Sequence, residues 1–248
     1  MSRLKRFAKQ TIRPAIRRVG YDIVPFPGNH FNHRRVLLAK ALEVDLVVDV
    51  GANTGQFGRE LRDFGYDGNI LSFEPMAQEY AALERHARKD GRWDTTRAAL
   101  GESRGEVDIN VAGNSISSSI LPMAERHRRA AEASVRQRVE TVPLDRLDNL
   151  ARTQVEVARA PYLKVDTQGY EWQVLCGASG MLDEFVAIEL ELSLTELYEG
   201  QRLMDTTVDW LTQQGLRLAI LESSFPDSRT GETLQMNGVF VRAPWGAL

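Results

Sequence analysis

The sequence predicts one α/β domain built on a doubly wound, mostly parallel sheet that ends in an antiparallel hairpin. Short β-branched runs alternate with helical stretches, and the last two runs are joined by a short polar segment. The 248 residues, 43% of them apolar and 26% charged, suffice for one large core and exclude a disordered chain. The single cysteine, Cys176, excludes a disulfide framework and fits a reducing compartment.

The first 21 residues form a basic segment with seven Lys and Arg side chains and no acidic one. Their apolar residues recur at helical spacing, which predicts an amphipathic helix packed on the body with its basic face in water. The alternative is contact with an anionic membrane surface or a glycolipid, although Pro14 disfavours one long interfacial helix. No apolar stretch resembles a secretory signal or a membrane span, so we expect a cytoplasmic protein, at the inner face of the membrane in the glycolipid alternative.

Strand and helix signals then alternate. Residues 1–44 are predicted to be the basic helix and a lead-in helix at Asn32–Leu42, and the main domain is predicted to span 45–248. Apolar and β-branched runs predict strands, and apolar residues at helical spacing predict the helices between them. In chain order these are strand Asp45–Val50, helix Gln56–Phe64, strand Asn69–Phe73, helix Ala77–Lys89 and strand Thr95–Ala99.

An insertion around residues 102–145 interrupts the alternation, which resumes afterwards. The insertion and its end contain strands Glu106–Val111 and Arg138–Val142, a Ser-rich stretch at Asn114–Ser119, a polar helix at Pro122–Ala133 and a short helix at Asp145–Leu150. The last part contains strand Tyr162–Asp166, helix Glu171–Cys176, strand Phe185–Leu192, helix Thr206–Gln214, and the hairpin strands Leu216–Glu222 and Gln235–Arg242.

A glycine-rich loop follows the first predicted strand, in the run Val-Asp-Val-Gly-Ala-Asn-Thr-Gly that ends at Gly55. Open α/β sheets bind ligands at the carboxyl ends of their strands, and Gly51 and Gly55 allow the backbone to approach a ligand closely. Glu74 ends the second strand, where an acid accepts both hydroxyls of an adenosine ribose. The loop and the acid together predict a cofactor that contains adenosine.

Two cofactors use such a loop. A nicotinamide dinucleotide typically needs the spacing G-x-G-x-x-G, which this loop lacks, so an oxidoreductase is disfavoured. Asp49 ends the strand and Asn53 lies in the loop. A carboxylate there would repel a pyrophosphate but attract the ammonium and sulfonium groups of S-adenosylmethionine. The residues therefore favour S-adenosylmethionine.

Four ionisable residues on two late strands form a second candidate cluster. Lys164 and Asp166 alternate on one strand, and Glu189 and Glu191 alternate on the next. Pairing by depth predicts an ion pair between Lys164 and Glu189, which leaves Asp166 and Glu191 together at the mouth of the sheet. Two such carboxylates would share a proton or a divalent cation such as Mg²⁺ or Mn²⁺, or one would act as a general base.

Three histidines are further candidates. His30 and His33 precede the first helix of the domain, where His30 is a candidate proton acceptor for the site, with a surface position as the alternative. His127 lies in the basic helix at 126–129 and is expected on its solvated face. The sequence lacks a nucleophile elbow, an H-E-x-x-H motif and a P-loop, which disfavours hydrolase, zinc protease and kinase functions.

Several motifs resemble those of FkbM-type methyltransferases from about residue 45 to the C-terminus. They are the loop Asp49–Gly55, Phe73-Glu-Pro75, Ala99-Leu-Gly101, Leu144-Asp145, and Leu163-Lys-Val-Asp-Thr-Gln-Gly-Tyr-Glu171 followed by Val174–Gly177. The Ser-rich stretch after Asn114 further resembles the actinobacterial sugar O-methyltransferases of that family.

The resemblance implies a class I methyltransferase fold with a seven-stranded sheet. It also implies methyl transfer from S-adenosylmethionine to a hydroxyl of a sugar in a glycolipid, a polysaccharide or a glycosylated natural product. Carried over by position, Asp49, Gly51, Asn53 and Gly55 would border the methionyl part, Glu74 would hold the ribose, and Ala99 and Leu100 would contact adenine through their backbone. Gln168 stands where the family more commonly has Glu, which disfavours a cation site that depends on this carboxylate.

Two alternatives differ in function. A catalytically silent methyltransferase-like protein would bind the cofactor and act as a scaffold. Methylation of nucleic acid is disfavoured because the chain beyond the basic segment is acidic and lacks an N/D-P-P-Y/F motif. The expected partner is therefore a sugar-containing acceptor and not a nucleic acid.

Overall fold

A computed structural model of the chain describes residues 16, 18, 30–131, 134 and 136–242. Its helices are α1 Phe31–Ala41, α2 Gln56–Asp63, α3 Ala77–Asp90, α4 Glu125–Ala130, α5 Leu147–Leu150, α6 Arg152–Val157, α7 Glu171–Gly177 and α8 Met204–Gln213. Its strands are β1 Leu46–Val50, β2 Asn69–Phe73, β3 Trp93–Thr96, β4 Ala99–Leu100, β5 Gly105–Ala112, β6 Arg136–Asp145, β7 Pro161–Val165, β8 Ala187–Ser193, β9 Leu216–Pro226 and β10 Thr233–Arg242. Apart from Ile16 and Arg18, the basic helix expected within residues 1–21 lies outside the described residues.

Seven strands form the main sheet in the order β3-β2-β1-β7-β8-β10-β9. The first five are parallel, and β10 runs antiparallel to both β8 and β9. The predicted fold class, a mostly parallel seven-stranded sheet with a C-terminal antiparallel hairpin, is confirmed. The strand order reverses between β1 and β7, and such a switch point opens a crevice at the carboxyl ends of the strands.

The central strands are apolar because helices cover both faces of the sheet. Every residue of β1 and of β7 is buried. Residues of α1, α2 and α3 pack on one face against Val47 and Tyr162, and residues of α5 to α8 pack on the other against Val48 and Leu163. The alternation of faces along each strand explains why neighbouring residues belong to different cores.

A second sheet of three strands, β4-β6-β5, contains the insertion strands and corrects one predicted element. The strand expected at Thr95–Ala99 is divided, because β3 ends at Thr96 and Ala99 pairs instead with Leu144 on β6. The side chain of Ala99 packs into a separate small core with Ile109 and Val142, and this packing draws the chain away from the main sheet.

In the described part of the chain, none of the helices is both long and apolar enough to span a membrane.

Candidate functional site

A cavity of about 400 Å³ opens at the carboxyl ends of β1, β2 and β7, beside the switch point of the sheet. The predicted site residues that line it are Gly51, Asn53, Glu74, Ala99, Leu100 and Asp166. Asp49, Gly55, Glu191 and His30 do not line it. One cavity therefore joins the predicted cofactor loop to the carboxylate that ends β7.

The loop after β1 contains three residues with positive φ angles, a backbone conformation that few residue types adopt readily. Gly51 and Gly55 have φ angles of 77° and 84°, and Asn53 has a φ of 48°. A Cβ atom on Gly51 would lie 1.9 Å from the backbone oxygen of Asp166. Glycine at position 51 thus lets the loops after β1 and β7 touch, which brings the two halves of the predicted site together.

Glu74 is buried at the end of β2, and its carboxylate holds the neighbouring backbone. One oxygen accepts the amide N–H of Asn53 at 2.7 Å and the other accepts that of Met76 at 2.9 Å. Burial raises the pKa of Glu74 to about 7. Each carboxylate oxygen has a second lone pair, so Glu74 retains the capacity to accept two further hydrogen bonds.

Asp49 is fully buried under the loop and pairs with the ammonium group of Lys164. Asp49 Oδ1 lies 3.1 Å from Lys164 Nζ, and Asp49 Oδ2 accepts a hydrogen bond from Ser72 Oγ at 3.2 Å. Burial lowers the pKa of Lys164, but the carboxylates of Asp49 and Asp166 outweigh it and raise the pKa above its ordinary value. The lysine therefore remains charged beneath the cavity.

The predicted ion pair between Lys164 and Glu189 is wrong. The two residues face each other in the β7–β8 register, as expected. However, Arg35 on α1 donates to both oxygens of Glu189, from Nε at 2.8 Å and from Nη2 at 2.6 Å. Because a bidentate guanidinium already neutralises Glu189, the lysine turns to Asp49, which would otherwise be a buried charge without a partner.

Arg35 is a functional candidate that the sequence reasoning missed. Its guanidinium lies between the rings of Phe31 and Phe57, at 4.5 and 4.6 Å from their centroids, and it lines the cavity. Tyr162 also donates to Glu189, at 2.5 Å. An arginine on a helix usually points to water, so no sequence signal distinguished this one.

Asp166 and Glu191 are linked through the side-chain amide of Gln168. Gln168 Nε2 donates to Asp166 Oδ1 at 2.7 Å and to Glu191 Oε2 at 2.8 Å. The side chain of Asp166 is 34% exposed, and its other oxygen, Oδ2, lies 3.7 Å from Lys164 Nζ. Asp166 therefore faces the cavity with one oxygen held by an amide and the other near an ammonium group.

Glu191 lies behind Asp166 and is held by polar neighbours. Gln235 Nε2 donates to it at 2.9 Å and Ser224 Oγ at 3.3 Å. Burial and the charge of Asp166 raise the pKa of Glu191 well above its ordinary value. The structure thus brings the two predicted carboxylates to one shared donor, but only Asp166 reaches the cavity.

The loop at 167–169 is fixed from below by Glu171. Its carboxylate accepts the amide N–H groups of Thr167 at 2.8 Å and of Gly169 at 3.1 Å. Burial raises the pKa of Glu171 to about 7. Gln168 itself has a φ of 56°, a strained value for this residue type that the surrounding hydrogen bonds maintain.

A divalent cation between Asp166 and Glu191 does not fit this donor set. The amide of Gln168 directs its two N–H groups at the carboxylates, whereas Mg²⁺ and Mn²⁺ need oxygen lone pairs around them. Within the described ranges, no group of three or more His, Cys, Asp and Glu side chains has a geometry that could hold a metal ion.

The histidines lie apart from the cavity. His30 stacks on Phe64 with ring centroids 5.1 Å apart, so the structure does not bring this predicted proton acceptor to Asp166. The expectation that His127 is solvated is wrong, because its ring is buried against Tyr198 and Phe225 at 5.0 and 5.4 Å. Burial lowers the pKa of His127 to about 4, so it is uncharged near neutral pH.

Residues of the insertion form part of the cavity wall. Ser115, Ile116 and Ser118 line the cavity together with Ala99 and Leu100, whose side chains are apolar. Asn53 Nδ2 donates to Ser115 Oγ at 3.3 Å, which joins this wall to the loop after β1. The Ser-rich stretch noted in the sequence therefore closes one side of the cavity.

The comparison with known proteins gives one family and one curated relative. A family model described as the methyltransferase FkbM domain matches residues 49–218. The hexuronic acid methyltransferase AglP of Haloferax volcanii is 28% identical over 159 residues, which is 63% of this chain. The match spans 60% of the length of that relative.

Solved structures with similar overall shapes are distant in sequence. The magnesium protoporphyrin IX methyltransferase of Synechocystis PCC 6803 is 12% identical with a TM-score of 0.48, covering 97% of this chain and 98% of its own. The fibrillarin of Aeropyrum pernix is 12% identical with a TM-score of 0.45, covering 85% of this chain and 76% of its own. Neither likeness bears on the substrate of this chain.

Proposed function

The chain belongs to the FkbM methyltransferase family, and from this premise we propose that it transfers a methyl group from S-adenosylmethionine to a hydroxyl group of a sugar. One observation carries the proposal. Glu74, at the end of β2, and Asp166, at the end of β7, line the same cavity of about 400 Å³. A buried acid suited to a ribose and a second acid suited to a reacting hydroxyl thus share one space.

The residues around the loop after β1 fit the proposed cofactor. Gly51 provides a close backbone approach, and Glu74 has lone pairs for two ribose hydroxyls. Ala99 and Leu100 offer an apolar surface and backbone groups to adenine. When bound, S-adenosylmethionine supplies an electrophilic methyl group on a positively charged sulfur, which the negative charge around Asp166 favours electrostatically.

Asp166 is the proposed general base. A sugar hydroxyl is too weak an acid to ionise by itself near neutral pH, so its proton must be removed as the oxygen attacks. Asp166 Oδ2 is the oxygen that Gln168 leaves free, and it lies 3.7 Å from Lys164 Nζ. The hydroxyl proton then goes to Oδ2, while Gln168 holds Oδ1 and keeps the carboxylate aimed into the cavity.

The cavity also suits a hydroxyl-rich ligand. Polar side chains of Arg35, Glu60, Asn237 and Ser118 line it and can exchange hydrogen bonds with several hydroxyls. The Haloferax volcanii relative is named a hexuronic acid methyltransferase, which supports a sugar acceptor here. We include glycolipids, polysaccharides and glycosylated natural products among the acceptors, and we place the reaction in the cytoplasm.

A screen with labelled S-adenosylmethionine tests this function. The full chain is incubated with neutral hexosides, uronic acid glycosides and glycolipids, and the methyl ethers are located by mass spectrometry. We expect methylation of at least one sugar hydroxyl, and we expect Asp166→Asn to lower its rate by about 10²-fold or more. Cofactor binding by calorimetry without turnover on any acceptor would contradict the proposal and favour a silent binding protein.

A further inference from the structure

Gln168 lies at a position where two carboxylates would otherwise repel each other. Its amide nitrogen donates one N–H to Asp166 Oδ1 at 2.7 Å and one to Glu191 Oε2 at 2.8 Å. Two close carboxylates need a shared proton, a cation or a hydrogen-bond donor between them. In this chain the donor is a neutral amide.

The orientation of this amide is determined by its other contacts. The hydroxyl of Tyr198 lies 2.8 Å from Gln168 Oε1, and Ser119 Oγ donates to the backbone oxygen of Gln168 at 2.6 Å. Asp166 and Glu191 both accept from the amide nitrogen, and the amide oxygen faces Tyr198. Gln168 is 8% exposed, and Ser119 of the insertion holds its backbone in place.

We propose that the Gln168 amide holds the place of a divalent cation between Asp166 and Glu191, and that it is a positioning residue for a metal-free general base. The catalytic consequence rests on the proposed function. As the acceptor oxygen forms its bond to the methyl carbon, the bond from that carbon to sulfur breaks. The hydroxyl proton moves to Asp166 Oδ2, and no cation is needed to acidify the hydroxyl.

Manganese binding tests the inference without any methyl acceptor. Mn²⁺ is titrated into the full chain and into Gln168→Glu, and the free ion is measured by electron paramagnetic resonance. Gln168→Glu adds a third carboxylate next to those of Asp166 and Glu191, so we expect this variant to bind one equivalent of Mn²⁺. We expect the unmodified chain to bind none at this site. Gln168→Glu combined with Asp166→Asn should lose the binding.

Gln235→Glu is the matched control for the added charge. Gln235 also donates to Glu191, at 2.9 Å, but its other hydrogen-bond partner is Ser193 and not Asp166. We therefore expect no equivalent of bound Mn²⁺ in Gln235→Glu. Thermal melting and calorimetry with S-adenosylmethionine establish that each variant is folded.

The kinetic measurements separate positioning from folding. A chelator should change the rate of the unmodified chain by less than about twofold, and it should inactivate Gln168→Glu in proportion to the metal removed. Gln168→Met should lower kcat by about tenfold or more while the KM for S-adenosylmethionine changes less than about twofold, because only the base is misplaced.

Two results would overturn the inference. One is binding of Mn²⁺ by the unmodified chain that Asp166→Asn abolishes, and the other is a folded Gln168→Glu variant that binds no Mn²⁺. If Gln168→Glu does not fold, the titration of the unmodified chain decides alone. A chain that methylates no acceptor would contradict the proposed function, and the manganese comparison would still decide the inference.

Discussion

At the scale of single residues, the site depends on carboxylates whose surroundings differ. Asp166 lies at the cavity with one oxygen on an amide, and Glu191 lies behind it with a raised pKa. Glu74 is buried and uses both oxygens to hold backbone N–H groups. In the proposed function these environments suit a separate task for each acid: Asp166 as proton acceptor, Glu191 as its support and Glu74 as ribose ligand.

The first prediction concerns the proposed base. Asp166→Asn keeps the shape of the side chain, and it keeps the hydrogen bond from Gln168 Nε2 if the new amide turns its oxygen toward that nitrogen. In either orientation the variant lacks the proton acceptor. We expect the rate to fall by about 10²-fold or more, in line with loss of a general base. The affinity for S-adenosylmethionine, measured by calorimetry, should change much less. Near-normal turnover in Asp166→Asn would remove it from this role.

The second prediction concerns pH. With a pKa of about 7, roughly a tenth of Glu74 is ionised at pH 6 and roughly nine-tenths at pH 8. Only the ionised form accepts two hydroxyls while holding both backbone amides, so the affinity for S-adenosylmethionine should be about tenfold weaker at pH 6 than at pH 8. Calorimetry across this pH range measures how the affinity changes with pH, which we call the pH slope.

Two variants identify the group that titrates. Glu74→Gln should bind more weakly at every pH and should lose the pH slope. Glu171 also has a pKa of about 7 but does not line the cavity, so Glu171→Gln should keep the slope. A slope that follows Glu171 instead of Glu74 would contradict the ribose assignment.

At the scale of elements, α1 is joined to the sheet by one buried ion pair. Arg35 is 4% exposed and Glu189 is 3% exposed, and both line the cavity. Helix α1 lies outside residues 49–218, the segment that the family model matches. The contact of α1 with β8 therefore brings Arg35 to the cavity wall. This residue comes from a part of the chain that precedes the segment matched by the family model.

The third prediction tests this contact. Arg35→Met leaves the carboxylate of Glu189 buried without its cation, which should lower the free energy of unfolding by about 3–5 kcal/mol. Urea denaturation measures the change. Lys40→Met, which removes an exposed cation from the same helix, should change stability by no more than about 0.5 kcal/mol.

A double variant completes the test. Adding Glu189→Gln to Arg35→Met removes the unpaired charge and should recover part of the lost stability. Equal losses in Arg35→Met and Lys40→Met, or no recovery in the double variant, would show that the ion pair does not hold α1 on the sheet.

At the scale of the whole molecule, the switch between β1 and β7 and the second sheet together shape one cavity. The two cations among its described lining residues, Arg35 and Lys164, are each paired with a buried acid. Glu60, Glu74 and Asp166 add further negative charge to the lining. An acceptor with its own carboxylate would meet a net negative wall.

The fourth prediction follows from this charge. Among matched pairs, we expect kcat/KM to be at least about tenfold higher for a neutral hexoside than for the corresponding uronic acid glycoside. Labelled methyl transfer at low and high ionic strength measures the ratio, which should shrink as salt screens the repulsion. A preference for the uronic acid at both ionic strengths would contradict this prediction and make the acceptor resemble the substrate named for the Haloferax volcanii relative.

The sequence alone determined the fold class, most of the strands and helices in their order, and the glycine loop and acid that lie at the cavity. These predictions used local signals, each of which arises from backbone conformation or burial within a few residues. The signals are the spacing of apolar residues, the glycines at 51 and 55, and the acid at the end of β2. The sequence also predicted Asp166 and Glu191 together at the mouth of the sheet, and the structure adds that β7 lies beside β1, so that Asp166 is close to the loop.

The tertiary structure alone decided which charges pair. Lys164 has both Asp49 and Glu189 opposite it on the neighbouring strands, and the backbone register does not distinguish them. Arg35, from a helix far away in the chain, settles the choice because the most favourable buried pairing depends on every charge nearby. The orientation of the Gln168 amide was also decided by the tertiary structure, since besides the nearby Asp166 it depends on Glu191 and Tyr198, which are distant in the chain.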